Sequence, residues 1–106
     1  MIDEKPYQFV IQFAEDALSG VDEIMDLEEQ IEGIIDASKD LIDGHDIGMG
    51  KINIFLDTDD PKSLFLRLEQ ADLPNRFGSC RIAYRLFEDD DSTNLYPEDD
   101  TSEFEP

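Results

Sequence analysis

From Tyr7 to Ala14 every second residue is aromatic or aliphatic: Tyr7, Phe9, Ile11 and Phe13 alternate with Gln8, Val10 and Gln12. A period of two puts the first set on one face of a β-strand and the second on the other. The period then changes. In "LSGVDEIMDLEEQIEGIIDAS", Ile24, Leu27, Ile31, Ile34 and Ile35 recur every three or four positions, while Glu28, Glu29 and Glu32 point elsewhere, as in an amphipathic helix. Ser19 or Asp22 is placed to cap its start. Gly33 costs about 1 kcal/mol against alanine in mid-helix, which predicts a short or locally close-packed helix.

"DLIDGHDI" reads as a second strand with a weaker pattern, and Gly48 and Gly50 supply a turn into "KINIFLDT". There Ile52, Ile54 and Leu56 alternate with Asn53, Phe55 and Asp57, the clearest strand of the chain. The two form a hairpin. A second helix starts in "DTDDPKSLFLRLEQAD", with Thr58 or Asp59 as cap, Pro61 in the first turn and Leu64, Phe65 and Leu68 as its buried stripe. "LPNRFGS" is a loop. Cys80 to Phe87 is the last full strand, with Cys80, Ile82, Tyr84 and Leu86 on one face, and "STNLYP" is placed to add a short pairing segment.

The order β-α-β-β-α-β predicts an α+β fold of ferredoxin-like type, a four-stranded antiparallel sheet with two helices on one face. Residues 1–97 form one domain and 98–106 an acidic disordered tail. The sheet face turned away from the helices carries Gln8, Val10, Gln12, Asn53, Phe55, Arg81, Ala83 and Arg85. That face is partly apolar and is able to take a partner or a second copy of the chain.

Charge changes the picture most. The chain has 28 acidic and 8 basic side chains, a net charge of −20. Residues 88–106 hold nine of the acids and no base, which leaves 19 acids and all 8 bases, a net of −11, in residues 1–87. The folded part is therefore acidic by itself. Such a field repels nucleic acid and anionic membrane, and it attracts basic proteins. Plain solubility, or a salty cytoplasm, explains the same excess in a blander way.

Candidate chemistry is sparse. His45 stands beside Asp43 and Asp46, with Asp57, Asp59 and Asp60 further along, so a hairpin could gather an imidazole and carboxylates for acid–base work. A zinc site wants several His or Cys ligands and the chain has one of each; the aspartates do not follow the calcium-loop spacing. Gly44, Gly48 and Gly50 are not followed by a helix or a Lys-Ser/Thr pair, so the run is no phosphate cradle. No Ser-His-Asp set can be assembled. Cys80, alone, makes no intrachain disulfide and reads as a small buried hydrophobe in the reducing cytoplasm, with no secretory signal at the start and no membrane-spanning run. The reading calls for no cofactor and no metal.

The runs "DGHDIGMGKINIFLDTDDPKSLFLRL" and "AYRLFEDDDSTNLYP" resemble a group of small uncharacterised bacterial proteins that share a G-H-D-x-G-x-G-x-x-N-I-F segment, a T-D-D-P helix start and a Y-R…L-x-P ending. The resemblance covers residues 7–97 and carries no chemistry to transfer. In size, acidity and α+β build the chain also resembles immunity proteins of bacterial toxin–immunity systems, which bind and block a basic nuclease toxin. That likeness is one of style and moves no functional residue.

Three readings follow. The first is a non-enzymatic acidic protein-binding module, an immunity protein neutralising a basic toxin nuclease, with Asp57, Asp59, Asp60, Glu88, Asp89, Asp90 and Asp91 meeting the partner's Lys and Arg. The second is a ferredoxin-like dimer that binds a small ligand or acts as a small enzyme, with His45, Asp46 and Asn53 lining a pocket. The third is a structural or regulatory homodimer formed through the sheet.

Overall fold

The computed structural model describes residues 6–14, 21–36, 38–48, 50–72, 80–87 and 92–96. The elements in chain order are β1 (Tyr7–Ala14), α1 (Val21–Ile34), β2 (Asp40–Gly48), β3 (Lys51–Thr58), α2 (Pro61–Gln70), β4 (Arg81–Leu86) and β5 (Thr93–Tyr96). The fold is α+β: two helices and one antiparallel sheet in the order β2-β3-β1-β4-β5. A sheet of four strands was expected, and five are present among the described residues, so a four-stranded ferredoxin-like sheet does not describe it as it stands. The extra strand is β5, the short "TNLY" segment, laid along β4.

The alternation read in the sequence sets the core. Ile11 stands in register with Ile54 on one side and Ile82 on the other, and Phe9 with Leu56 and Tyr84. Cross-strand partners point to the same side of a sheet. Phe9, Ile11, Phe13, Ile52, Ile54, Leu56 and Ile82 therefore make one apolar face. Ile24, Leu27 and Ile31 of α1 and Leu64 and Leu68 of α2 join the same buried cluster, so both helices cover that face. Ile34 and Ile35 are only partly buried against it, since α1 ends at Ile34. Cys80, just before β4, is in the cluster as expected; Leu86 at the other end of the strand is exposed.

Two local points differ from expectation. The cap of α2 is Asp60, not Thr58 or Asp59: its Oδ1 accepts from the Ser63 N–H at 3.1 Å, directly before Pro61 at the first helical position. Pro61 lacks the N–H that a helix start would leave unpaired. Asp22 lies within the first turn of α1 and does not cap it, while Ser19 lies outside the described residues. The β2–β3 hairpin closes at the Gly48–Lys51 pair, and Gly50 takes φ +78 in the tight connection, a value that glycine adopts without a Cβ penalty. The register of β2 slips between Ile42 and Gly44, a bulge at Asp43.

On the other face, Val10, Gln12, Asn53 and Ala83 are buried. The Gln12 amide donates to Asn53 Oδ1 at 3.0 Å across β1 and β3, so two polar groups there satisfy each other. Arg85 Nε donates to Gln8 Oε1 at 3.1 Å and Arg81 Nε to Asn94 Oδ1 at 3.3 Å. The paired arginines of β4 thus tie it to its two neighbours, β1 and β5.

Candidate functional site

The three aspartates at the end of β3 and just beyond it have separate duties. Asp57 is half-buried and stands in register with Gln8 and Leu41, on the face away from the helices. Asp59 is exposed, and its N–H donates to the Lys39 carbonyl at 3.0 Å. Asp60 is exposed and caps α2. Glu88, Asp89, Asp90 and Asp91 lie outside the described residues, as do the 73–79 loop and the 98–106 tail.

Next to these acids lies a buried polar knot that sequence reasoning missed. Asp40, at the start of β2, has a side chain with 0% exposure. Its Oδ1 accepts from Thr58 Oγ1 at 2.6 Å; its Oδ2 accepts from Arg67 Nη2 at 2.6 Å and from the Asp36 N–H at 2.9 Å. Thr58 Oγ1 accepts in turn from the Asp60 N–H at 3.0 Å, and Arg67 Nη1 donates to Ser63 Oγ at 2.9 Å. One carboxylate thereby joins the chain after α1, the start of β2, the end of β3 and the body of α2. A buried charge with three donors is compensated, and it fixes where the Asp59–Asp60 turn projects. Asp36, beside the knot, accepts on Oδ1 from the Ser38 hydroxyl at 2.6 Å and the Ser38 N–H at 3.0 Å. These two bonds, with lesser help from Arg67 and Lys39, hold its carboxyl below the ordinary 3.8.

His45, Asp46 and Asn53 do not converge. His45 pairs with Ile54 and so lies on the helix side of β2, where its Nδ1 sits 3.2 Å from Glu28 Oε1 of α1. Asp46 pairs with Asn53 on the opposite side, and the Asn53 amide oxygen is engaged by Gln12. Adjacent residues of a strand point to opposite faces, which separates the histidine from the other two. Among the described residues no group of three or more His, Cys, Asp or Glu is placed to hold a metal ion. Burial pushes the Cys80 thiol from 9.0 up to about 12, so it is protonated and unreactive at neutral pH.

Among the described residues, α1 carries a run of exposed carboxylates. Asp22, Asp26 and Glu29 form its outward ridge, with Glu32 exposed on the flank and Glu28 half-buried one turn before it. No Lys or Arg occurs between Val21 and Ile34, and the last turn carries no base. The sequence signal was the acid spacing of four and three beside the apolar stripe. Between the Glu28–Glu32 flank and β2 runs a groove of about 430 Å³ lined by Glu28, Glu32, Ile35, Asp40, Leu41 and Ile42. Its lining mixes the two kinds of side chain: Asp40 is buried, Ile35, Ile42 and Glu28 are half-buried, and Leu41 and Glu32 are exposed. This arrangement suits a side chain with an apolar stem and a cationic end.

No described helix is long and apolar enough to cross a membrane. Comparison with known proteins gives no match to a protein-family model, to a curated protein or to a solved structure.

Proposed function

We propose that the chain is a non-enzymatic acidic binding module whose partner is a basic protein, most concretely a bacterial toxin nuclease that it covers as an immunity protein does. The observation that carries this reading is the concentration of exposed carboxylates on α1, with no base in the helix, in a chain of net charge −20. An acid in the last turn of a helix opposes its dipole, so Glu32 does not serve the helix's own stability through it. A field of that sign raises the encounter rate with cations and turns away nucleic acid. Asp59 and Asp60 extend the acidic surface at the far end of β3.

We also infer that the first six elements follow the ferredoxin-like plan with β5 added outside it. The support is the unbroken antiparallel run β2-β3-β1-β4 and the single core shared by both helices. A cytoplasmic setting agrees with the lone buried thiol.

The test is capture of partners by the tagged full chain from a lysate of the cells that make it, at low and at moderate salt. The reading expects a basic protein whose recovery falls as salt rises. Recovery of no basic partner, or of one held equally at both salts, contradicts it.

A further inference from the structure

We infer that the exposed edge of β2 is where the partner docks, by adding an extended basic segment as a further strand of the sheet, with its side chains entering the groove beside α1. This rests on the reading of the chain as an acidic binder and gives that binder a place and a mode.

The edge is open. Among the described residues β2 is hydrogen-bonded on one side only, to β3, and it ends the sheet. Leu41, Asp43 and residues 45–48 are exposed. Leu41 is 56% and Ile47 41% exposed, two large aliphatic side chains on one edge strand. An unpaired strand edge offers a row of N–H and C=O groups that another strand completes. The bulge at Asp43 divides the strand, and residues 44–48 beyond it, at about 3.3 Å each, offer roughly 16 Å of regular edge.

The groove decides what kind of strand fits. Ile35 and Ile42, on the helix side, accept an aliphatic stem, and Glu32, with Glu28 held against His45 beside it, meets a cation at its end. Lys and Arg combine these two parts in one side chain. On the other side of the strand, Asp46 faces the same incoming segment, and the bulged Asp43 adds a further carboxylate. A second copy of this chain is a poor occupant. Edge-to-edge pairing of two β2 strands would bring their Asp43, Asp46, Glu28 and Glu32 together across one interface, between molecules that each carry −20. Charge complementarity selects a lysine- or arginine-bearing strand instead.

The experiment uses the full chain and a nine-residue peptide alternating lysine and valine, blocked at both ends. Its control is the same peptide N-methylated throughout, which keeps the charge and loses the ladder donors. Binding is followed by backbone NMR and amide exchange at two salt concentrations. Two variants of equal net charge are compared: Glu28→Lys with Glu32→Lys at the groove, and Asp22→Lys with Asp26→Lys on the outward ridge of α1.

The expected result is salt-dependent binding of the unmethylated peptide, exchange slowed roughly tenfold along residues 41–47, and weak binding of the methylated one. The groove variant should weaken binding by roughly tenfold and the ridge variant by less than about threefold. Equal binding of both peptides, or equal loss in both variants, overturns the docking site and leaves the acidic-binder reading standing. No salt-dependent binding of either peptide overturns both.

Discussion

Asp40 is the side chain on which most of the local geometry depends. Its carboxylate takes donors from Thr58, Arg67 and the Asp36 backbone while its side chain is wholly buried. Removing one member of a buried ion pair strands the other, at a cost of about 3–5 kcal/mol in fully buried cases. Arg67 is 25% exposed and recovers part of that from water, so Asp40→Ala should lower unfolding free energy by about 2–3 kcal/mol in urea titration. A change below about 1 kcal/mol would show that the knot is incidental. Asp36 gives the pH counterpart. Its folded-state carboxyl titrates below 3.8, so it contributes stability above that value and loses the contribution as pH falls through its own, lower midpoint. The side chain is exposed, so the effect on stability is small. The direct readout is the carboxyl midpoint by NMR, which should lie below 3.8 and move up in Ser38→Ala, the variant that removes the strongest bond. An unchanged midpoint in that variant would contradict the assignment. Neither role was readable beforehand: Arg67 is 27 positions from Asp40, and nothing local marks an acid at a strand start as buried.

Among the elements, those with unbroken periodicity were readable and those made by their neighbours were not. Phe9, Ile11 and Phe13 against Ile52, Ile54 and Leu56 specify β1 and β3, because a slip of one residue would turn either set to the other face. Thr93–Tyr96 has four residues inside an acidic stretch, and it is a strand because β4 offers it an edge. The cap of α2 was readable in principle: with Pro61 at the first helical position, the residue before it is the cap. The separation of His45 from Asp46 was equally available once β2 was taken as a regular strand at that point. The acidic ridge of α1 is visible as spacing in the sequence. Glu32 sits in the last turn, where a negative charge opposes the dipole. Glu32→Lys should therefore stabilise the protein, by about 0.3–1 kcal/mol at low salt. A destabilised variant would mean that Glu32 holds α1 through a contact of its own.

For the molecule as a whole, 28 acids against 8 bases imply self-repulsion in the compact state. Screening shortens the reach of that repulsion to about 8 Å at physiological ionic strength and about 3 Å at 1 M. The melting temperature should rise as sodium chloride is raised from low to moderate concentration, and a melting temperature indifferent to salt would show that the charges are too well dispersed to matter. On the proposed reading, the same excess that costs stability in the free chain gives it reach toward a cationic partner. The two effects would have one origin but opposite salt dependences: salt strengthens the fold and would weaken the proposed complex. The most direct measurement is the association rate of the full chain with the basic protein that the proposed capture would recover, across a series of ionic strengths. A rate that falls steeply as salt rises, with dissociation changing little, is the outcome expected of an acidic field that steers its target. A rate that stays flat across the series would contradict it.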